Sequence, residues 1–451
     1  MKFKSINPYN GKELKTYSEH TLPELDATLS QSEKAFASWR NIPLAERTKL
    51  IAKAGSELRK NKDEYAEMMT LEMGKPITEA RAEVEKCAWV CDYYAENAGE
   101  FLADEVIKTD ASKSFVRHNP IGCVFAIMPW NFPFWQVFRF AAPTLTAGNV
   151  AILKHAGNVP GCATLIEQVF LRAGFPKGVF QNIFIDHSKT EKIIAHPIVK
   201  AISLTGSERA GASVAELAGR HIKKSLLELG GSNAFLVLAD ADMDKTIATA
   251  VNARMLNAGQ SCIAAKRFII ESKVYDAFVD RFVKAVIELK SGDPMEEDTQ
   301  IGTLARTDLA EDLEKQVQDS IAGGAKLLLG GKRRGAYFEP TVLGDVVPGM
   351  PAFDEETFGP VAAMIKAKNR DHAFELSQNT KYALGITVCT TDVDKALEDI
   401  DRVGDGAYFV NELVKSDPRL PFGGQKQSGY GRELSKDGIM EFVNRKTVYV
   451  K

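Results

Sequence analysis

The sequence predicts an α/β protein with two successive domains, each built on a parallel β-sheet, and two observations support this fold class. First, the chain has 451 residues, which is more than one hydrophobic core usually serves and suits two or three domains. Second, from Ile121 onward, short apolar runs of strand length alternate with helical segments. Parallel strands are buried on both faces and are joined by crossover helices, so this alternation is typical of α/β domains.

The first part of the chain is predicted to be a small β-element followed by helices. A turn signal at Asn10-Gly11 lies between two extended pieces. Apolar residues then recur at helical spacing over residues 25–39, 45–60 and 62–73. Cys87 and Cys91 also have helical spacing and no nearby His, so we expect them to share a helix face and we expect no metal site.

Two short segments are predicted to form exposed strands outside the main sheets. Residues 104–118 have the pattern of a polar hairpin, and residues 446–450 form a short C-terminal strand. The unpaired backbone groups at such strand edges can form hydrogen bonds with another strand. The two segments could pair across a subunit interface or form an ordinary sheet edge within one chain, and the sequence supports both alternatives equally.

Two sets of strands are predicted, one for each α/β domain. The first set covers residues 122–128, 149–153, 180–185, 201–204 and 225–229. The second set covers residues 234–238, 267–271, 326–329, 341–347, 361–365, 386–389 and 406–410. Because the second set repeats the pattern of the first, the two domains are expected to follow one another along the chain.

The composition excludes several classes of function. Hydrophobic residues make up 45% of the chain, charged residues make up 26%, and the formal net charge is -3. This is the balance of an ordinary globular protein, without a basic excess that would indicate nucleic acid. No run of about 18 apolar residues occurs, so no membrane-spanning helix is expected. The N-terminal sequence lacks the apolar core of a signal peptide, and the six cysteines then indicate a reducing, cytoplasmic location.

Cys262 is a candidate catalytic nucleophile. It lies in the small-residue segment Asn257–Ala264, between a helical run and a β-rich run. Cysteines that serve packing lie among large hydrophobic residues, whereas this thiol is flanked by Gly, Gln and Ser. Packing is nevertheless the commoner role of an isolated cysteine, so the interpretation depends on the rest of the chain.

Asn131 and Glu228 are the candidate partners of this thiol. Asn131 follows a strand in the rigid segment Pro129–Pro133, where its amide suits an oxyanion donor, although it could instead cap its own turn. Glu228 ends an apolar strand, where burial would raise its pKa and make it a usable base. The alternative for Glu228 is a structural pair with a buried Lys or Arg.

A possible nucleotide-binding turn occurs in the segment Ile202–Gly211, which ends a strand and opens a helix. Backbone N–H groups and the helix dipole at such a turn can receive a phosphate. The middle glycine of G-x-G-x-x-G is missing, so this signal is weak by itself. No Walker A sequence occurs, which argues against a nucleotide triphosphatase.

Seven ordered motifs make the chain resemble the aldehyde dehydrogenase superfamily over essentially its full length, and within it the succinate-semialdehyde dehydrogenase group. They are Pro129-Trp130-Asn131-Phe132-Pro133, Leu153-Lys154, Leu204-Thr205-Gly206-Ser207, Leu227-Glu228-Leu229-Gly230-Gly231, Gly259-Gln260-Ser261-Cys262, Glu356-Thr357-Phe358-Gly359-Pro360 and Pro421-Phe422-Gly423-Gly424. Seven matches in order are far more specific than any one of them.

This resemblance implies a domain organisation. It consists of two Rossmann-like domains and a small β oligomerisation element, assembled as a homodimer or homotetramer. The implied divisions are a cofactor-binding domain of residues 1–103 and 119–229, a catalytic domain of residues 230–443, and an oligomerisation element of residues 104–118 and 444–451.

The resemblance also implies a reaction. In it, Cys262 attacks an aldehyde, and the side-chain amide of Asn131 holds the oxyanion together with the backbone N–H of Cys262. Hydride then passes to a nicotinamide cofactor and leaves a thioester, which water activated by Glu228 hydrolyses to the carboxylic acid. The residues themselves suggest the same roles, because they supply a soft nucleophile, a hydrogen-bond donor and a base of raised pKa.

Seven residues match the family's cofactor positions. They are Trp130, Lys154, Gly157, Gly206, Ser207, Glu356 and Phe358. Lys154 and Glu356 match the positions that hold the two ribose hydroxyls, while Gly206 and Ser207 match those under the pyrophosphate. Many NAD-preferring members have a glutamate where this chain has Gly157. A glutamate there would repel a 2′-phosphate, so we expect NADP to be used at least as readily as NAD.

For the substrate, Arg139 is the predicted partner of a distal carboxylate. A cation in an apolar and aromatic setting is costly unless it meets an anion. Trp135 and Phe138 are expected to line the substrate tunnel. Arg419 is a candidate on the opposite wall, although a pair with Asp417 explains it equally well.

Two departures from the resembling group matter. Leu256 stands where one branch has an arginine, so a different anion clamp must serve, and Ala264 stands where that branch has a second cysteine, which argues against a local disulfide switch. Other semialdehydes and simple aliphatic or aromatic aldehydes stay open as substrates. A coenzyme A-acylating enzyme would lack Glu228. A non-catalytic structural protein of the same fold is the alternative of a different class, and the intact Cys262, Asn131 and Glu228 argue against it.

Overall fold

The computed structural model describes residues 2–451, which form helices and strands over most of their length. The α-helices are α1 Leu22–Trp39, α2 Leu44–Lys60, α3 Lys62–Met73, α4 Ile77–Phe101, α5 Trp135–Thr146, α6 Pro160–Arg172, α7 Thr190–Ala195, α8 Glu208–Arg220, α9 Met243–Met255, α10 Tyr275–Ile287, α11 Thr307–Ala322, α12 Pro351–Asp354, α13 Arg370–Gln378, α14 Val393–Glu398 and α15 Ser435–Met440. Short 3-10 helices cover His187–Lys189, Leu256–Gly259 and Ile400–Arg402.

The strands form the sheets that organise the chain. They are β1 Lys2–Ile6, β2 Glu13–Ser18, β3 Glu105–Val106, β4 Lys113–Pro120, β5 Cys123–Met128, β6 Val150–His155, β7 Phe180–Asn182, β8 Val199–Thr205, β9 Lys224–Glu228, β10 Asn233–Val237, β11 Ala265–Glu271, β12 Lys326–Leu329, β13 Arg333–Arg334, β14 Tyr337–Phe338, β15 Thr341–Gly344, β16 Val361–Ala367, β17 Tyr382–Ala383, β18 Ile386–Cys389, β19 Tyr408–Val410, β20 Gln425–Lys426, β21 Gly429–Tyr430 and β22 Val443–Val450.

The predicted α/β fold class is confirmed by two large sheets. The first has six strands in the order β21-β9-β8-β5-β6-β7, and its strands from β9 to β7 run parallel. The second has seven strands in the order β12-β15-β16-β11-β10-β18-β19, parallel except for β12 at one edge. Each sheet has its own apolar core, as buried strands joined by crossover helices require.

The N-terminal helices cover the first sheet. Helix α1 begins at a capping box, in which Glu24 N–H donates to the Thr21 hydroxyl and the Glu24 carboxylate accepts from the backbone of Thr21. Helix α4 has 25 residues and packs against α2, α3 and α5. Cys87 and Cys91 are both buried on α4, as their spacing predicts.

A third sheet joins the two exposed segments of the chain. It has the order β22-β4-β3, and β22 pairs antiparallel with β4 along its whole length, from Val443 opposite Pro120 to Val450 opposite Lys113. The pairing within one chain, one of the two alternatives that the sequence left open, is therefore present. Strands β22 and β3 form the outer edges of this sheet.

The last part of the predicted catalytic segment packs on the first sheet. Strand β21 pairs antiparallel with β9, and helix α15 contacts α4 and α5. Phe422 and Leu434 belong to the core of the first sheet. The C-terminal part of the predicted catalytic segment, residues 230–443, thus packs on the first sheet and not on the second. The physical reason is that β21 has only two residues, too few for a periodic pattern that marks a strand.

Among residues 2–451, no helix combines the length and the apolarity that crossing a bilayer requires.

Candidate active site

The nucleophile loop, residues 256–264, has an unusual backbone. Asn257, Ala258 and Gly259 have φ values of 55°, 49° and 72°, so three consecutive residues are left-handed. Such a conformation costs about 1–3 kcal/mol for each non-glycine residue, and it persists only where the surroundings impose it. At Gly259 a Cβ atom would also collide with the carbonyl of Gly359. The loop carries Cys262 to the wall of a pocket.

Two buried cations hold this loop. Arg254 donates to the carbonyls of Gly259 at 2.7 Å and Ala265 at 3.1 Å, and also to that of Gly359. Lys266 donates to the carbonyls of Ser261 at 2.8 Å and Cys262 at 2.7 Å. Burial lowers the pKa of both groups, that of Arg254 to about 9. Several N–H groups of the loop donate within the protein, among them those of Gln260, Ser261 and Ala264. Within residues 2–451, the backbone N–H of Cys262 has no acceptor.

Asn131 lies beside the nucleophile loop. It is buried in the loop after β5, and its side-chain nitrogen donates to the Gln260 carbonyl at 3.1 Å. Its own carbonyl accepts from the Asn257 amide at 2.8 Å. Both bonds join Asn131 to the nucleophile loop. The alternative, in which the Asn131 side chain only caps its own turn, is therefore not observed. The amide keeps a second N–H for a bound oxygen.

Glu228 ends β9 as a buried carboxyl without an ion pair among residues 2–451. Burial raises its pKa well above the usual value, the charge of Arg139 lowers it, and that of Glu433 raises it further. Arg139 forms its ion pair with Glu433 and not with Glu228. The alternative of a structural Lys or Arg partner is therefore not observed for Glu228.

Cys262 is a neutral thiol in this environment at neutral pH. Burial raises the pKa of Cys262 to about 11, while the charges of Lys266 and Arg139 lower it and those of Glu356 and Glu228 raise it. Only the thiolate is strongly nucleophilic, so the proton must leave before or during attack.

The pocket beside Cys262 lies between α4, α5, the nucleophile loop and the segment before Phe422. Its lining side chains come from Glu79, Ala82, Glu83, Lys86, Phe132, Trp135, Gln136, Arg139, Leu256, Ser261, Cys262, Ile263, Ala264, Leu413, Val414, Lys415, Ser416 and Phe422. Helix α5 begins where Glu83 accepts from the backbone N–H groups of Phe134 and Trp135, both at 2.9 Å. Glu83 in turn pairs with the buried Lys75.

Helix α5 places only some of the predicted substrate residues on this pocket. Trp135, predicted to line the substrate tunnel, lines this pocket together with Gln136 and Arg139. The prediction for Phe138 is wrong: its ring stacks between Phe134 and Phe170 in the core. The reason is helical geometry, because positions 135, 136 and 139 share one face while positions 134 and 138 share another.

The two predicted arginines also differ from expectation. Arg139 has 1% of its surface exposed, pairs with Glu433, donates to the Thr205 hydroxyl at 3.3 Å and lies over the Phe422 ring. Its charge is therefore already matched within the chain. Arg419 does not line the pocket. It forms a bidentate ion pair with Asp417 at 2.9 and 2.7 Å. This pair is the alternative role that the sequence left open for Arg419.

A second pocket contains two of the predicted cofactor residues. Lys154 and Gly157 line it together with Phe3, Asp186 and His187. Burial lowers the pKa of Lys154, and the charge of Lys154 is the largest cause that lowers the pKa of His187. Lys154 and His187 thus line the same opening, and position 157 is a glycine there instead of a glutamate. This donor set fits a phosphate on the 2′ position of a ribose.

The other predicted cofactor residues lie along the ends of the first sheet and the facing loop. Ser207 caps α8 by accepting from Ala210 N–H at 3.3 Å, and Gly206 N–H donates to the Glu228 carbonyl at 2.9 Å. Trp130 packs edge-on against Phe358 at 5.7 Å between ring centres. Glu356 pairs with Lys266 at 3.1 Å and accepts from Gly231 N–H at 3.1 Å. A helix N-terminus and a nearby carboxylate suit a pyrophosphate and a ribose hydroxyl.

Sequence reasoning missed several residues of the site. Gln136 had a usable signal, because it is one position from Trp135 on the pocket face of α5. One of the others lies far from every motif and four lie within ten residues of one, but no local pattern marks what any of them contacts. They are Lys86, Arg254, Lys266, Ser416 and Glu433.

Comparisons with known proteins agree with this geometry. A family model described as the aldehyde dehydrogenase family matches residues 1–448. A probable succinate-semialdehyde dehydrogenase (NADP+) of Synechocystis sp. is 49% identical over 453 residues and covers 100% of both chains. Succinate-semialdehyde dehydrogenase 1 (NADP+) of Mycobacterium tuberculosis is 46% identical over 456 residues, with the same coverage. The crystal structure of succinic semialdehyde dehydrogenase from Streptococcus pyogenes in complex with NADP+ superposes with a TM-score of 0.97, at 37% identity and 99% coverage of each chain.

Proposed function

Because the chain belongs to the aldehyde dehydrogenase family, we propose that it oxidises succinate semialdehyde to succinate with NADP+ as the oxidant. The observation that carries this proposal is that Cys262 lines a pocket with basic side chains, while Asn131 bonds to its loop and the charge of Glu228 acts on its thiol. A thiol, an amide donor and a buried carboxyl are what acyl formation and hydrolysis require. The names of the relatives support the choice of substrate.

In the first step, the sulfur of Cys262 adds to the aldehyde carbon and the carbonyl oxygen becomes an oxyanion. The free N–H of Asn131 and the backbone N–H of Cys262 are the donors for this oxyanion. The Cys262 proton must leave, because the thiol is neutral at neutral pH. This proton passes to solvent, which leaves the Glu228 carboxylate free for the later hydrolysis.

The cofactor, when bound, supplies the oxidation by accepting the hydride that leaves the aldehyde carbon. Lys154, Gly206, Ser207 and Glu356 would hold it. The acyl group that stays on Cys262 is a thioester. Glu228 then removes a proton from water, the water oxygen attacks the thioester carbon, and the carboxylic acid leaves as the thiol re-forms.

The test is a steady-state assay of the purified protein with succinate semialdehyde and NADP+, with the acid product identified by chromatography. The expected result is stoichiometric succinate and NADPH, with no requirement for coenzyme A. Reduction of NADP+ by other aldehydes but not by succinate semialdehyde would refute the substrate. A coenzyme A thioester as the product would refute the hydrolytic step.

For the cofactor, we propose that NADP+ is used at least as readily as NAD+. Gly157 adds no carboxylate to the opening that Lys154 and His187 line, and the Asp186 carboxylate there is engaged by the backbone N–H and hydroxyl of Ser188. A kcat/KM ratio that strongly favours NAD+ would contradict this.

For the architecture, we propose that residues 1–103 and 119–229 serve cofactor binding and that residues 230–443 serve catalysis, with β21 and α15 of the latter packed on the first sheet. We propose that residues 104–118 and 444–451 join copies of the chain into a homodimer or homotetramer. The outer edges of the third sheet support the last of these roles. We also propose a cytoplasmic location. The six cysteines support it, since all are free and five are buried.

A further inference from the structure

We propose that Lys86, together with the hydroxyl of Ser416, binds the distal carboxylate of the substrate, while Arg139 is engaged in its ion pair with Glu433. This inference rests on the proposed function, because it names the side chains that would recognise succinate semialdehyde. It replaces the predicted role of Arg139.

The first argument is that Arg139 is not free to bind a substrate anion. It is fully buried, its guanidinium pairs with Glu433, and its face is covered by the Phe422 ring. A carboxylate that bound Arg139 would have to share it with Glu433 or displace it. Leaving either buried charge without its partner is strongly destabilising.

The second argument comes from the hydrogen-bond count at Ser416. Its buried oxygen accepts from Lys86 Nζ at 2.9 Å and from the Trp135 indole N–H at 3.1 Å. A hydroxyl oxygen has two lone pairs, and both are thus used. The hydroxyl hydrogen must donate, yet no acceptor for it is found within residues 2–451. A substrate oxygen in the pocket is the acceptor that would complete this arrangement.

The third argument is the charge of Lys86. Its Nζ lies 4.3 Å from the centre of the Trp135 ring and has no ion pair within the described part of the chain. Burial lowers the pKa of Lys86 to about 8, and the charge of Arg139 lowers it too. The nearby carboxylates are already engaged, since Glu83 pairs with Lys75 and Asp417 with Arg419. An anion in the pocket therefore gains a cation that has no competing partner.

The test compares kcat/KM for succinate semialdehyde with kcat/KM for butanal, an uncharged aldehyde of the same chain length. Their ratio is the readout, because a general change at Cys262 affects both substrates. In Lys86→Met we expect the ratio to fall about 10- to 100-fold, the effect of losing a hydrogen bond to a charged group. The fall should lie mainly in KM. Lys86→Arg keeps the charge and should restore most of the ratio.

Lys415→Met is the matched control. Lys415 also lines the pocket, but its charge is paired with Glu412 at 2.9 Å. A fall in the ratio as large for Lys415→Met as for Lys86→Met would overturn the inference, since it would indicate a general loss of positive charge. The inference would also be overturned if the ratio fell strongly in Arg139→Met and did not change in Lys86→Met.

The pH dependence of the ratio is a second readout, measured in the wild-type protein and in the charge-conserving variant Lys86→Arg. In the wild-type protein the ratio should decline as the pH rises through about 8, because Lys86 loses its proton.

Other titratable or charged groups face Lys86 or its pocket, namely Cys87, Glu83, Arg139, Asp417, Lys415 and Glu79. Burial raises the pKa of Glu79 to about 7, so its titration is an independent source of decline. In Lys86→Arg the step near pH 8 should disappear while that of Glu79 stays. Persistence of the step near pH 8 in Lys86→Arg would refute the role of Lys86.

The same assays separate this inference from the proposed function. If the wild-type protein prefers butanal to succinate semialdehyde, the proposed substrate fails, and the Lys86 inference fails with it. If the wild-type protein prefers succinate semialdehyde and Lys86→Met keeps that preference, the function stands and only the inference about Lys86 fails.

Discussion

Burial controls both reactive side chains of the site. The pKa of Cys262 is raised to about 11, and the pKa of Glu228 is raised well above its usual value, in both cases chiefly because burial disfavours the charged form. The two groups are therefore neutral together at low pH. Each becomes active by losing a proton, so activity should rise with pH.

At the residue scale, Glu228→Gln tests the hydrolytic base. We expect a rapid release of about one NADPH for each active site and then a turnover at least about 100-fold slower, because general-base catalysis contributes about 10²–10⁴-fold. Rapid-mixing absorbance measurements separate the two phases.

The pH profile of kcat tests the same residue. A raised pKa means that Glu228 is protonated and inactive below it, so kcat should rise with pH through a value well above 4.5. This limb should vanish in Glu228→Gln. A wild-type kcat that is flat from pH 5 upward would contradict the assigned environment.

Gly157 is a second test at this scale. In Gly157→Glu we expect kcat/KM with NADP+ to fall at least about tenfold relative to that with NAD+, because the new carboxylate would repel the 2′-phosphate. Gly157→Ala is the matched control, since its Cβ would meet the Phe3 ring at 3.2 Å without adding charge. Equal changes in both variants would indicate crowding instead of repulsion.

At the element scale, the nucleophile loop depends on bonds from outside itself. Its three left-handed residues have no sequence signature except Gly259, and Arg254 and Lys266 supply the donors that impose the conformation. Helix α5 shows a similar dependence. Its sequence is apolar almost all round, and the start set by Glu83 decides which side chains face the pocket.

Lys266→Met tests this support. Lys266 lowers the pKa of Cys262, so its loss should raise that pKa and slow alkylation of Cys262 by iodoacetamide about tenfold at pH 8. Mass spectrometry of the labelled peptide measures the rate. Lys284→Met, which removes an exposed lysine paired with Asp280, serves as the control. An alkylation rate in Lys266→Met equal to that of the control would contradict the electrostatic link.

At the scale of the whole molecule, the two large sheets bring the parts of the site together. Cys262 precedes a strand of the second sheet, Glu228 ends a strand of the first, and β21 returns to pair with the strand that carries Glu228. The third sheet lies apart from the reactive groups and keeps two free edges.

Val106→Glu tests the proposed role of that sheet in assembly. Val106 lies on the edge strand β3 and is 79% exposed, which is unusual for a large apolar side chain without a partner. If copies of the chain meet here, the added charge should lower the mean mass in light scattering toward that of one chain. Val347→Glu is the control, because Val347 is a half-exposed valine outside the sheets. A mass unchanged by Val106→Glu would exclude this edge from the interface.

By itself, the sequence determined the fold class, most strands of both sheets and the three residues Cys262, Asn131 and Glu228. These features are encoded locally, as apolar periodicity and short motifs whose glycine, proline and polar residues have fixed spacing. The resemblance to a family then added the cofactor positions.

Only the tertiary structure decided which charges are free. Arg139 is satisfied by Glu433, which lies almost three hundred residues away, whereas Lys86 contacts Ser416 and Trp135 and has no ion pair within residues 2–451. Ion pairing depends on distances in space, which local sequence patterns do not contain. For the same reason, the return of β21 to the first sheet and the inward position of Phe138 became visible only in the folded chain.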